Sequence, residues 1–225
     1  SLRVMWDSAT VNMLVENTWI TLYMTLTSTL IAYAIGLPLG VILVVSAPGG
    51  LKPGAFVYKV LDFVVNIVRS VPFLILLIAI MPLTKLIVGK SYGPAATIVP
   101  LALAAAPFVA RLVESSLLEV DHGVVEAAQS MGAGLFTIIF KVLLAEARTS
   151  LIVGVTIALG TILGYSAMAG VVGGGGLGNI AIQYGYYRNN LEILFVTVIL
   201  LVLLVQILQM LGTRLSKKLD KRITG

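Results

Sequence analysis

The chain has 225 residues, of which 59% are hydrophobic and 11% are charged, whereas soluble domains carry about 25% charged residues. It has no cysteine and a single histidine, His122, which argues against disulfides, thiolate chemistry and a histidine-based metal site. The net charge is +5, but the basic residues lie at the ends of apolar runs. This pattern is typical of topology signals in membrane proteins and argues against a nucleic-acid-binding surface.

Five apolar runs are long enough to cross a membrane as helices of about 20 residues. In chain order they are 19–45, 57–81, 93–110, 150–172 and 193–213. None shows the strict alternation of barrel strands, and helices satisfy their own backbone hydrogen bonds in lipid. The sequence therefore predicts an all-α membrane protein with about five transmembrane helices, between an N-terminal segment (1–17) and a basic tail (214–225).

An odd number of spans puts the two ends of the chain on opposite sides of the membrane. One side then carries four basic residues, Arg3, Lys85, Lys90 and Arg188. The other side carries ten, namely Lys52, Lys59, Arg111, Lys141, Arg148, Arg214, Lys217, Lys218, Lys221 and Arg222. The positive-inside rule makes the second side cytoplasmic. We therefore expect an external N-terminus and a cytoplasmic C-terminus.

The segment 114–148, between the third and fourth runs, has the pattern of a cytoplasmic helix-turn-helix. Apolar residues recur at spacings near 3.6, and Asp121 can cap the helix that enters Glu126. A break is expected at 132–134, followed by a second helix with one apolar side formed by Phe136, Ile139, Phe140 and Leu143. The alternative is a tethered surface loop, because a motif as short as Glu-Ala-Ala-x3-Gly occurs by chance in many helices.

In its position, this segment resembles the signature loop of the permease subunits of bacterial ABC importers, Glu-Ala-Ala-x3-Gly-x9-Ile-x-Leu-Pro. The chain departs from it at Ala145, where the family has proline. The resemblance implies the type I ABC importer transmembrane fold over 18–213, with a coupling loop at 114–148. The implied ATPase-docking residues are Glu126, Ala127, Ala128, Met131, Gly132 and Ala133.

Five further segments are similar to the methionine-importing members of that family: 66–73, 106–111, 164–168, 176–178 and 183–186. The resemblance implies a non-catalytic permease subunit of an ATP-driven amino-acid importer in the bacterial inner membrane, for D- and/or L-methionine. The implied partners are two ATP-binding subunits, a second copy of the chain in a homodimer, and a substrate-binding protein at the external face. ATP and Mg would be bound by the partner ATPase, with no cofactor in this chain. A permease for another amino acid is the alternative.

The second run carries the first set of candidate pathway residues. Lys59, Asp62, Asn66 and Arg69 are spaced three or four apart, which aligns them on one helical face. Ser70 and Pro72 follow, and Pro72 leaves a carbonyl near Val68 without its helical donor. The stripe predicts either a polar lining of the pathway or an ion pair that fixes the bundle.

The fourth apolar run carries the second set of candidate pathway residues. Family resemblance places Tyr165, Ser166 and Met168 on the helix that lines the pathway. Met168 is a candidate gate residue, because a soft thioether suits an apolar thioether substrate, although a core methionine is the alternative. The glycine-rich stretch 173–178 matches nucleotide-binding spacings, but Asn179 stands where the Walker lysine belongs. It is expected to form a flexible external loop or a re-entrant turn.

Two other classes fit less well. A secondary transporter would show internal repeats and paired intramembrane ionisable residues, and the sequence has no convincing half-to-half repeat. An intramembrane enzyme would need a catalytic constellation. The spans contain neither cysteine nor histidine, and Asp62 is their one carboxylate.

Overall fold

The computed structural model describes residues 7–219, and Arg3, Lys221 and Arg222 lie outside them. Over this range the chain is helical and contains no strand, which confirms the predicted all-α class. Four helices are long and apolar enough to cross a membrane, and a bent helix pair provides a fifth crossing if it is counted as one span.

Helix α1, Ser8–Ser46, has 39 residues and is about 58 Å long. It exceeds the ~30 Å hydrocarbon core and begins well before the predicted start of the first span at residue 19. Asp7 caps it, because its side chain accepts the backbone N–H of Thr10 at 2.8 Å. This hydrogen bond holds the pKa of the Asp7 carboxyl below its ordinary value.

The second predicted span, 57–81, is not one straight helix. Helix α2, Ala55–Ser70, and helix α3, Phe73–Ala79, are bent by 102° relative to each other. Pro72 has no N–H and stands four residues after Val68, whose carbonyl instead accepts the Val71 N–H at 3.3 Å. Helix α2 therefore ends at Ser70 and the chain turns sharply there.

The other elements follow in chain order. They are α4, Met81–Val88; α5, Pro94–Leu118; α6, His122–Ser130; α7, Leu135–Thr137, with a π-helical segment Ile138–Leu143; α8, Leu144–Glu146; α9, Arg148–Ala169, with a 3₁₀ turn Gly170–Val172; α10, Gly176–Ile180, with a π-helical segment Ala181–Tyr186; and α11, Leu191–Leu219.

Helix α5 is the centre of the bundle. Leu101, Val109 and Val113 on it are fully buried, and α1, α2, α3, α4 and α9 all contact it. A Cβ at Gly36 of α1 would lie 2.6 Å from the carbonyl oxygen of Ala106. Small residues thus let the two backbones approach, as is usual in membrane bundles.

The segment after α9, which we call the glycine turn (170–178), is packed into the bundle. The Leu177 N–H donates to the Thr21 hydroxyl of α1 at 2.9 Å, and the Gly93 N–H donates to the Gly173 carbonyl at 3.0 Å. A Cβ at Gly170 would lie 2.3 Å from the carbonyl carbon of Gly178. The stretch is thus packed into the bundle and is not the flexible loop that was one of its two predicted forms.

Candidate functional site

The first candidate site is the coupling segment, defined as residues 121–146. Its first helix, α6, begins at Asp121, whose side chain accepts the Gly123 N–H at 2.7 Å. It ends in a turn at Gly132, where φ is +79°, a value that favours glycine over other residues. The predicted cap and the predicted break are both confirmed.

The six predicted docking residues divide between two faces of this segment. Glu126, Ala127, Met131 and Gly132 are exposed, with Met131 82% exposed. Ala128 is buried in the main hydrophobic core, and Ala133 packs against that core. The structure therefore places Ala128 and Ala133 against the chain's own bundle and leaves the other four residues on the exposed face.

The second half of the coupling segment differs from the sequence prediction. Phe136 and Phe140 are exposed, whereas Ile139 and Leu143 are buried, so these four residues do not share one side. Each pair has the i, i+4 spacing that places two residues on one helical face. Because large exposed apolar side chains mark interaction surfaces, Phe136 and Phe140 extend the candidate docking face beyond the predicted residues.

A group of side chains that we call the Arg111 cluster joins α2 to α5. The Arg111 guanidinium, 19% exposed, forms an ion pair with Asp62 and donates to the Asn66 amide oxygen at 2.9 Å. It also pairs with Glu114 at 2.6 Å. Asp62 thus forms the interhelical ion pair that was one of the two interpretations of the polar stripe, and Asn66 accepts a hydrogen bond from the same guanidinium. Their partner Arg111 lies 49 residues from Asp62, and no local pattern predicts that pairing.

Arg69 lies outside this cluster. It lines a cavity of about 140 Å³, together with Val68, Val71, Phe73, Leu76, Ala104, Phe108 and Tyr165. The rings of Phe73 and Tyr165 are stacked, with centroids 4.6 Å apart. The structure therefore brings two predicted pathway residues, Arg69 and Tyr165, to one site.

The remaining pathway candidates lie near this cavity but do not line it. Pro72 is the N-cap of α3, and the Ser70 hydroxyl donates to the Asn66 carbonyl at 2.8 Å. Ser166 is buried and donates to the Leu163 carbonyl at 2.7 Å, so its hydroxyl is satisfied within α9. Met168 is 51% exposed and lies about one helical turn from Tyr165. Among residues 7–219, no three His, Cys, Asp or Glu side chains are grouped to hold a metal ion.

Comparison with known proteins identifies the family. Residues 36–225 match the family described as binding-protein-dependent transport system inner membrane component. The chain belongs to this family. It is therefore a multi-pass inner-membrane component of a transport system, and the permease resemblance seen in its sequence is confirmed.

Curated relatives within this family match nearly the whole chain. One is the probable D-methionine transport system permease protein MetI of Vibrio cholerae serotype O1, 52% identical over 217 residues and 96% of each chain. Another is the methionine import system permease protein MetP of Bacillus subtilis strain 168, 47% identical over 80% of this chain and 82% of that protein.

Solved structures also match nearly the whole chain. The fold matches a chain of the MetNI methionine ABC transporter in an inward-facing conformation, with a TM-score of 0.94 and 45% identity over 96% of this chain and all of that one. A chain of an amino acid ABC transporter matches with a TM-score of 0.80 at 17% identity and supports the fold alone. The type I importer fold predicted for this family member is thus confirmed.

Proposed function

We propose that the chain is the permease subunit of an ATP-driven importer of methionine, of the D and/or the L configuration. The observation that carries this proposal is the close match of nearly the whole chain to relatives named for methionine transport in two different bacteria. The runner-up is an importer of another amino acid with the same fold. A secondary transporter is less well supported, because an exposed cytoplasmic docking face has no role in it.

We infer that the coupling segment docks on the partner ATPase through the exposed face around Glu126, Ala127, Met131 and Gly132, with Ala128 and Ala133 packed behind it. The exposed Met131 and Phe136 would contact the partner. Behind them, Val125, Ile138 and Leu143 belong to the same apolar cluster as the cores of α5 and α9. Motion imposed on the outer face can thus reach the membrane helices through continuous packing.

The assembly that follows has two copies of this chain and two ATPase subunits. A single five-span bundle is small for enclosing a pathway, and closed two-fold symmetry is the commonest arrangement of identical subunits. ATP and Mg belong to the ATPase subunits, and a substrate-binding protein delivers the amino acid at the external face. The N-terminus lies outside and the C-terminus in the cytoplasm.

Transport then proceeds by two conformations with different affinities for the states of the ATPase. ATP closes the two ATPase subunits, and the coupling segments carry that motion to α9. Met168, on the exposed face of α9, is the proposed gate. Aspartate there would place a charge in the gate, so Met168→Asp should reduce uptake while the complex still assembles.

The decisive experiment reconstitutes the purified complex with its binding protein in liposomes. We expect methionine to stimulate ATP hydrolysis and ATP-dependent uptake, with the D and L forms tested separately. Stimulation by another amino acid and not by methionine would replace the substrate assignment. Uptake that continues after ATP depletion would refute the ATP-driven mechanism.

A further inference from the structure

Arg69 occupies an unusual place in the fold. It lies in the last turn of α2, about 21 Å along the helix axis from Ala55, immediately before the 102° bend into α3. An ionisable side chain within a membrane span is costly and marks a functional site unless it has a partner. The question is therefore which group satisfies the guanidinium.

Within residues 7–219, the chain provides no carboxylate for Arg69. Of the ten acidic residues, only Asp62 lies within a predicted span, and Asp62 is paired with Arg111. Among residues 7–219, no ion pair or side-chain hydrogen bond of Arg69 is found. A second copy would bring the same residues, so it also has no free carboxylate at this depth.

The surroundings of Arg69 describe the missing ligand. Apart from Arg69, the side chains that line the cavity of about 140 Å³ are aliphatic or aromatic, and Tyr165, whose ring is stacked on that of Phe73, adds one hydroxyl. A buried water needs only about 10–15 Å³, so this space accommodates a group of several heavy atoms. One guanidinium beside an apolar slot suits a ligand that has one carboxylate and a small apolar chain.

We propose that Arg69 and this cavity form a transient binding site for the amino acid in transit. The guanidinium holds the α-carboxylate in a bidentate pair, and the apolar side chain lies against Phe73, Phe108 and Tyr165. The site deepens the proposed function and rests on it in that the cargo is an amino acid. It gives the permease its own preference for free amino acids over amides and amines, in addition to selection by the binding protein.

The test measures binding to the permease–ATPase complex in nanodiscs without binding protein, using radiolabelled L-methionine. Unlabelled norleucine, which keeps the carboxylate and an apolar chain, should compete, and methioninamide should not. Arg69→Gln should weaken binding by about tenfold to a hundredfold, the effect of losing charge-assisted hydrogen bonds. Lys85→Gln changes an exposed basic residue on α4 that does not line the cavity; it is the matched control and should bind as the wild type.

Each other result overturns the proposal. It fails if Arg69→Gln binds like the wild type, if methioninamide competes as well as norleucine, or if acetate alone does so. Arg69→Lys keeps the charge but cannot form the bidentate pair, and it should show an intermediate loss with normal assembly. The competition in the wild type needs no variant, so poor folding of Arg69→Gln does not hide the answer.

A failure of the substrate assignment can be recognised separately. If the reconstituted importer transports another amino acid, methionine is the wrong cargo, and the same binding series with that amino acid decides the role of Arg69. If no free amino acid binds the wild-type complex at concentrations up to those that saturate transport, the site does not exist.

Discussion

The two interruptions that flank α9 both contain glycine but have opposite structures. The coupling segment before it has three glycines and the glycine turn after it has six, and each contains or leads into a π-helical segment. In the coupling segment, a Cβ at Gly132 or Gly134 would meet nothing within 4 Å. In the glycine turn, a Cβ at Gly170 or Gly178 would lie 2.3 Å from backbone atoms.

The two regions therefore use irregular helix ends in different ways. The glycine turn packs against its own chain. The Leu177 N–H donates to the Thr21 hydroxyl, and Gly170 lies against the backbone of Gly178 in α10. The coupling segment leaves Met131 and Phe136 exposed, so its apolar surface lacks a partner within residues 7–219. The first region should therefore control stability, and the second should control association with another chain.

The largest expected effect on stability is at the glycine turn. Gly178→Ala would place its Cβ 2.3 Å from the Ala167 carbonyl oxygen, where backbone would have to move. Overpacking costs about 1–3 kcal/mol, and occasionally more, and contact with backbone belongs at the upper end. We expect a marked fall in the thermal midpoint and in the yield of monodisperse protein, measured by fluorescence-detected size exclusion.

Gly134→Ala is the matched control in the coupling segment. Its φ of −71° is ordinary for any residue, and the added methyl group meets open space, so stability should change by no more than about 0.5 kcal/mol. If the two variants unfold alike, the proposed contrast between the regions is wrong.

The regions of these two glycines also show which features the sequence alone could predict. Long apolar runs located the crossings, and Asp121 and Gly132 located the coupling turn, because both signals are local. The burial of 173–178 depends on α1 and α5, which contact it through Thr21 and Thr97 from far along the chain. Composition alone therefore could not decide between a flexible loop and a packed turn.

The candidate site also combines features that were visible in the sequence with features that depend on packing between distant segments. The stripe on α2 was visible as a spacing of three and four residues, yet the sequence could not assign Asp62 to Arg111 and leave Arg69 unpaired. That outcome follows from the packing of α2 on α5. The bend after Ser70 was also missed, since proline alone does not distinguish a kink from a 102° break.

The Arg111 cluster, which joins α2 to α5, the helix that leads into the coupling segment, should show the intermediate effect. Arg111→Gln leaves Asp62 and Glu114 without their cation, and losing a hydrogen bond of a charged group costs about 1.5–3 kcal/mol. Asp62→Asn should cost less, because Asn66 still binds the guanidinium. In a double-mutant cycle of thermal unfolding, the double variant should lose less stability than the sum of the losses of the two single variants. Strict additivity would mean that the pair does not hold α2 to α5.

The smallest effect on stability should come from the outer face of the coupling segment. Met131→Ser and Phe136→Ser change side chains that are 82% and 74% exposed, so the unfolding free energy of the isolated permease should change by no more than about 0.5 kcal/mol. Association with the ATPase should instead be lost, since both variants remove apolar area from the docking face. Pull-down of the ATPase by tagged permease, followed by uptake in proteoliposomes, measures this loss.

Leu86→Ser on α4 is the control for that experiment. Leu86 is 83% exposed, which matches Met131, but it lies outside the coupling segment. Exposure alone would predict the same result for both variants, whereas a dedicated docking face predicts that only the coupling variants release the ATPase. If Leu86→Ser releases it as well, or if Met131→Ser and Phe136→Ser retain it, the apolar face of the coupling segment is not what holds the partner. If Phe136→Ser retains the ATPase and Met131→Ser does not, the docking face is confined to the turn around Met131 and Gly132. Met131 precedes this turn and Phe136 follows it, so the two variants test its two sides separately.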